Sequence, residues 1–232
     1  MTLEEFLIET ETELKSREDE IRKLNNLISS LDEGTAINEL RRATICMLYA
    51  HIEGFVKFTF GLYIEAVNKM NLRCHQVKPV LAAAVFYKDF KQLINPDHKS
   101  RFFNKTLPDD SHIHRIFRHE EFFEKIEIFY SEKIFIEDGY INTESNVGRE
   151  IIERLLYQVG LPHKSLNDVI GPLSKLKNKR NDISHGIDRS TIREEDYQSY
   201  YLCALEIMKK ISRVLFNAFR EKAFLKKIKT IS

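Results

Sequence analysis

Apolar positions recur at helical spacing along most of the chain. Leu3, Phe6, Leu7, Leu14, Ile21, Leu24, Leu27, Ile28 and Leu31 share a face, and Thr2 with Glu5 has Thr-x-x-Glu capping spacing, so a helix is predicted over 3–31. Asp32-Glu33-Gly34-Thr35 reads as a turn. A second helix is predicted from about Ala36 to Leu72, with a broad apolar face from Ile45 to Val67. Its Gly54 and Gly61 lie on nearly one side, which suits close helix packing better than a ligand contact. Residues 79–94 form another helical run, opened by Pro79 and ended at Asn95-Pro96-Asp97. The pattern is least regular over 97–146. There 112–132 reads as helical, and 133–139 as a short strand or extended loop. Helices follow over 148–159 and 172–185, each stopped by a glycine. The last runs from near Thr191, where Thr191 and Glu194 suggest a second capping box, to about Leu225.

No Gly- or Ser-rich linker divides these helices. The expectation is one domain over 1–232, an all-α antiparallel bundle of long helices with an irregular insertion at about 97–146. Eight glycines, five prolines and no tryptophan support long helices over a turn-rich β-architecture. The net charge of +1 excludes nucleic-acid binding by a bulk positive field, leaving local patches. Cys46, Cys74 and Cys203 form neither a CxxC pair nor a zinc pattern, and they suit a reducing cytoplasm. The first residues lack a basic and an apolar signal region, so a secretory leader is not expected. The most apolar stretch, 43–67, is interrupted by His51, Glu53, Lys57 and Glu65, which argues against a membrane span. The expected location is cytoplasmic.

Candidate chemistry is sparse outside one segment. His112, His114 and His119 have no nearby Cys or ordered carboxylates to complete a metal site, and read as solvent-facing. Phe117, Phe122, Phe123 and Phe129 read as packing residues. The basic stretch from Lys209 to Lys229 is a solvated helix face or a phosphate-tracking surface. The informative segment is 175–186, Lys-Leu-Lys-Asn-Lys-Arg-Asn-Asp-Ile-Ser-His-Gly, with four cations in its first six residues. Asn181 and His185 share a helix face, as do Arg180 and Ser184. Arg180 and His185 are five apart, about 140° around a regular helix. They converge only if the last turn unwinds at Gly186 or if two copies meet across a two-fold axis. By spacing alone, a C-capping histidine on a basic helix is the better explanation of the pattern.

Arg180-Asn181-Asp182-Ile183-Ser184-His185 resembles the signature of the HEPN superfamily, an Arg, then a polar residue, then a His four to six positions on. The MAE-like HEPN nucleases of prokaryotes look closest. Leu40-Arg41-Arg42-Ala43 and the run from Leu48 to Lys57 are similar to that family's second helix, and Thr143-Glu144-Ser145-Asn146 also matches. The resemblance spans roughly residues 38–215. It departs at Ile187, where some HEPN toxins carry a Tyr.

The resemblance implies a metal-independent endoribonuclease acting as a homodimer, without cofactor or metal, in a toxin or phage-defence setting with an antitoxin or defence partner protein. It makes Arg180 and His185 catalytic, with Asn181 orienting. Lys177, Lys179 and Arg42 would hold RNA, Arg41 less so, while Glu53 would partner Arg180 and Ser184 would support the site. The alternatives are a non-catalytic HEPN module docking a protein or nucleotide, and an RNA binder that does not cut.

Overall fold

A computed structural model describes residues 1–31, 34–103 and 111–227. The predicted turn falls partly on residues 32–33 and Lys229 on the tail, both outside the described residues. Among the described residues all regular structure is helical, without β-strands. The all-α expectation therefore holds. The helices are α1 (Leu3–Ser29), α2 (Thr35–Asn68), α3 (Pro79–Val85), α4 (Tyr87–Leu93), α5 (His112–Glu124), α6 (Ile126–Ser131), α7 (Arg149–Gln158), α8 (Asn167–Ser184) and α9 (Glu194–Arg220). The chain forms two compact units: Met1–Ala66 with Ile141–Ala223, and Val67–Tyr140 with Phe224–Ser232.

In the first unit, the Thr2–Glu5 capping box opens α1: Glu5 N–H donates to Thr2 Oγ1 at 3.1 Å, and Thr2 N–H to Glu5 Oε2 at 2.8 Å. Phe6 of α1 stacks on Phe219 of α9, with ring centroids 4.8 Å apart, and Tyr63 of α2 meets both rings edge-on. All three side chains are buried, and burial pushes the Tyr63 phenol well above its ordinary pKa. These contacts tie three long helices into one core. Gly54 is met by the Arg17 guanidinium rather than by another helix backbone: a Cβ there would lie 2.6 Å from it, and Arg17 donates to the His51 carbonyl at 3.2 Å. Gly61 has open space beside it, so close packing does not explain that glycine.

By length and composition Ala36–Asn68 is apolar enough to cross a membrane, so its four polar interruptions do not exclude a span as expected. Its apolar side chains are largely spent on the protein's own interior, with 56 % of the apolar window buried, as in a core helix. His51 lies inside too, and burial lowers its pKa, favouring the neutral imidazole.

Two boundaries differ from expectation for identifiable reasons. Helix α8 begins at Asn167, not Pro172, because burial of Val169 and Ile170 outweighs the missing proline donor. Helix α9 begins at Glu194 with Arg193 as N-cap and no side-chain cap, so the Thr191–Glu194 box does not form. Glu194 is committed elsewhere: its Oε2 accepts from the buried Arg41 guanidinium at 2.5 Å and its Oε1 from Gln198 at 2.7 Å.

In the second unit, the run expected over 79–94 is broken at Phe86 into α3 and α4. Lys133–Gly139 forms no strand. Asn68 instead caps it with its side-chain amide, donating to the Ile136 carbonyl and accepting from the Ile136 N–H, both at 2.9 Å. Phe122 and Phe129 pack with Phe86 and Phe90, whereas Phe123 is exposed. His114 is fully buried rather than solvent-facing, with Nδ1 accepting from the Ser100 N–H at 3.2 Å. Its ring lies on the inner face of α5 with Arg118, one turn on, which is also buried and donates to the carbonyls of Leu93 and His98. Among the described residues, no group of three His, Cys, Asp or Glu side chains is placed to hold a metal ion.

Candidate functional site

The motif helix is α8. Leu173 and Leu176 are fully buried, and this apolar seam fixes which way the rest of the helix faces. Arg180, one turn after Leu176, turns its guanidinium onto the ring of Tyr49 in α2, with Cζ 4.1 Å from the ring centroid. Tyr49 is 1 % exposed, and its hydroxyl donates to the Val147 carbonyl at 3.0 Å. A buried, anchored ring thus forms a shelf under Arg180, which remains partly accessible. Burial raises the Tyr49 pKa. The nearby Arg180 charge opposes that shift, and Glu53 one turn along α2 reinforces it.

Glu53 is not the direct partner of Arg180. It accepts a hydrogen bond from the Thr143 hydroxyl at 3.2 Å, and Tyr49 occupies the place under the guanidinium. Thr143 is buried and begins a turn in which Glu144 and Ser145 both take left-handed backbone conformations. In the sequence Tyr49 stands only as part of an apolar face. Its place one turn before Glu53 on the same face is the available signal.

Helix α8 stays regular to Ser184 and does not unwind early. His185 is its C-cap, with its N–H bonded to the Asn181 carbonyl at 2.9 Å. Gly186 takes φ +68, and the Ile187 N–H returns to the Asp182 carbonyl at 2.9 Å, closing a Schellman turn. The His185 ring is exposed and has no side-chain hydrogen bond or ion pair among the described residues. Within one copy, then, Arg180 lies on Tyr49 of α2 while His185 is the C-cap, its backbone position about 140° further round by helical geometry. Asn181 is half-buried beside Arg180, and the Ser184 hydroxyl lies 3.7 Å from Cys46 Sγ of α2.

The expected RNA-holding cations divide. Lys177 lies over Gly148, where a Cβ would come within 2.9 Å of its Nζ. Lys179 forms an ion pair with Asp188, and Arg42 donates to the carbonyls of Asp188 and Ser190. Arg41 is buried, donating to the Ile192 carbonyl at 3.1 Å as well as to Glu194. Arg41, Arg42 and Lys179 therefore organise the segment that follows the motif. The Lys179 ammonium, with help from Ser190, holds the Asp188 carboxyl well below the usual carboxylate range.

An all-helical unit that presents an Arg-x-x-x-x-His pair at the end of one helix, braced by a second, has the organisation of a HEPN domain. The family model described as RiboL-PSP-HEPN matches residues 12–217, and the chain belongs to this family of the HEPN superfamily. No curated protein and no solved structure matches it. Membership makes the chain a nuclease or RNA-related module.

Proposed function

We propose that the protein is a metal-independent endoribonuclease, and that Arg180 and His185 carry the reaction. The supporting observation is the seating of Arg180 on the buried Tyr49 shelf, on the same helix whose exposed C-cap is His185. RNA supplies its own nucleophile, the 2′-hydroxyl, so metal activation of a water is not needed. His185 moves a proton at the attacking or the leaving oxygen. The 2′-oxygen bonds to phosphorus, the P–O5′ bond breaks, and the products are a 2′,3′-cyclic phosphate and a 5′-hydroxyl end. Arg180, planar and permanently charged, stabilises the charge gathering on the phosphoryl oxygens. Asn181 orients the phosphate or the histidine.

Because Arg180 and His185 diverge within one copy, the active form is a homodimer in which two motifs share a cleft. Its setting is cytoplasmic, as a toxin or phage-defence effector held in check by a partner protein. The exposed Ile94, Phe102, Phe123 and Phe135 of the second unit favour a second reading, a non-catalytic HEPN module that docks a protein.

Cellular RNA incubated with the protein in EDTA separates these readings. Cleavage with cyclic-phosphate ends, lost in Arg180→Ala and in His185→Ala and partly restored when the two variants are mixed, is the expected result. Robust cleavage of DNA, or undiminished cleavage by the variants, would rule the mechanism out. Intact RNA from the wild type favours the docking module.

The Tyr49 shelf gives a finer prediction. Tyr49→Phe keeps the ring face and retains most of the cleavage rate, while Tyr49→Leu lowers kcat by up to about 30-fold at similar KM, the value of a partly desolvated cation–π contact. Equal rates for the two variants in steady-state assays would remove Tyr49 as a positioning residue.

A further inference from the structure

The segment after the motif is built more tightly than a connection needs. It folds back at Gly186, and the Asp188 N–H donates to the Asp182 carbonyl at 3.1 Å. Asp188 Oδ1 then accepts from both the N–H and the hydroxyl of Ser190, at 2.7 and 2.6 Å, while Oδ2 takes the Lys179 ammonium. From α2, Arg42 holds the carbonyls of Asp188 and Ser190. Two residues further on, the Ile192 N–H donates to Asn38 Oδ1 at 2.8 Å. Both neighbours of residue 189 are therefore fixed through backbone and side-chain contacts. Residue 189 is an exposed arginine that has no ion pair or side-chain hydrogen bond among the described residues.

We propose that Arg189 is the RNA-backbone anchor of the site, gripping a phosphate next to the one that is cut. The inference rests on the ribonuclease reading above and assigns the contact to a residue outside the motif. Arg189 follows His185 by four residues, so even a fully extended chain would separate their Cα atoms by roughly 14 Å, and the folded-back turn brings them closer. Arg189 and His185 are therefore carried on one short, folded-back segment at the C-terminal end of α8. The preset loop has already met much of the ordering cost of a phosphate contact. The local charge is suitable. Over 175–190 the carboxylates are Asp182 and Asp188, and Asp188 is already matched by Lys179. Lys179 and Arg42 thereby serve as struts, leaving Arg189, unpaired among the described residues, to meet the ligand. A bidentate guanidinium contact to phosphate carries no base information, so its loss weakens binding evenly across sequences.

The test uses the full chain carrying His185→Ala, so that RNA is bound without being cut, and a fluorescein-labelled 12-nucleotide single-stranded RNA followed by anisotropy from 50 to 300 mM salt. Adding Arg189→Ala is expected to raise Kd about tenfold and to lower the slope of log K against log salt by about 0.7. Arg189→Lys is expected to restore the slope and only part of the affinity. Lys15→Ala, which removes an exposed charge from α1, is expected to change neither. The thermal midpoint is expected to stay constant throughout. Unchanged Kd and slope on Arg189→Ala, against clear RNA binding by the His185→Ala protein, would overturn the anchor and leave the ribonuclease reading standing. Absence of RNA binding by the His185→Ala protein itself would overturn both.

Discussion

His185→Ala is expected to slow RNA cleavage by about 10²–10⁴-fold, the usual worth of a positioned acid or base, without loosening the fold. The two halves of this expectation come from one observation. The His185 ring is exposed and has no side-chain hydrogen bond or ion pair among the described residues. Removing it creates no cavity and strands no partner, so the thermal midpoint should stay within the small range typical of surface substitutions. The backbone role of His185 as C-cap survives in alanine, because the bonds that close the turn run through the N–H groups of His185, Gly186 and Ile187. Solvent access also permits chemical rescue: free imidazole at millimolar levels is expected to restore part of the rate to His185→Ala and none to Arg180→Ala. Arg180→Lys keeps the charge but loses the planar fork that lies on Tyr49 and that the proposed mechanism pairs with phosphoryl oxygens, so it should remain severely impaired. Cleavage by His185→Ala within about threefold of wild type, a change far below that of a lost acid or base, would remove the residue from the chemistry.

Phe6→Ala is expected to cost about 3–5 kcal/mol of stability, the range for truncating a large buried aromatic side chain. Phe6 is 0 % exposed, stacked on Phe219 and met edge-on by Tyr63, so its ring joins the first, second and last helices of its unit. Truncation leaves a void flanked by two large rings that are themselves buried and cannot readily collapse into it. At roughly 2–4 °C per kcal/mol for a chain of this size, the thermal midpoint should fall by about 6–20 °C. Phe6→Leu should recover most of the loss by refilling the space. Phe123→Ala, at a position 68 % exposed, should leave the midpoint nearly unchanged. A fall of under about 3 °C in Phe6→Ala, roughly 1 kcal/mol on the same scale, would mean that the three helices are not held through this cluster.

Local chemistry was legible wherever both participants were neighbours in sequence. Thr2 and Glu5 form their predicted box because nothing else competes for either group. Thr191 and Glu194 have the same spacing, and the box fails because the buried Arg41, far away in sequence, takes the Glu194 carboxylate. Gly186 stops α8 where expected, since the turn needs a left-handed residue and its bonds span only a few positions. Pro172 misplaced the start of the same helix, because proline's missing N–H is a local cost that burial of Val169 and Ile170 outweighs.

The candidate site divides the same way. Sequence alone establishes the helical periodicity and the position of Arg180 and His185 on one helix, and it carries a resemblance to the HEPN superfamily. The first two follow from properties of residues within a few turns of one another, whereas the resemblance joins the motif to segments spread over roughly residues 38–215. Which partner each charge meets within the chain is decided by the three-dimensional packing. It put Tyr49 rather than Glu53 under Arg180, buried Arg41 against Glu194, set Arg42 and Lys179 against the segment after the motif, and left Arg189 without a side-chain hydrogen bond or ion pair among the described residues. A cation's role depends on the nearest carboxylate, carbonyl or ring in space, and here those partners are contributed by helices far apart along the chain, which spacing alone does not encode.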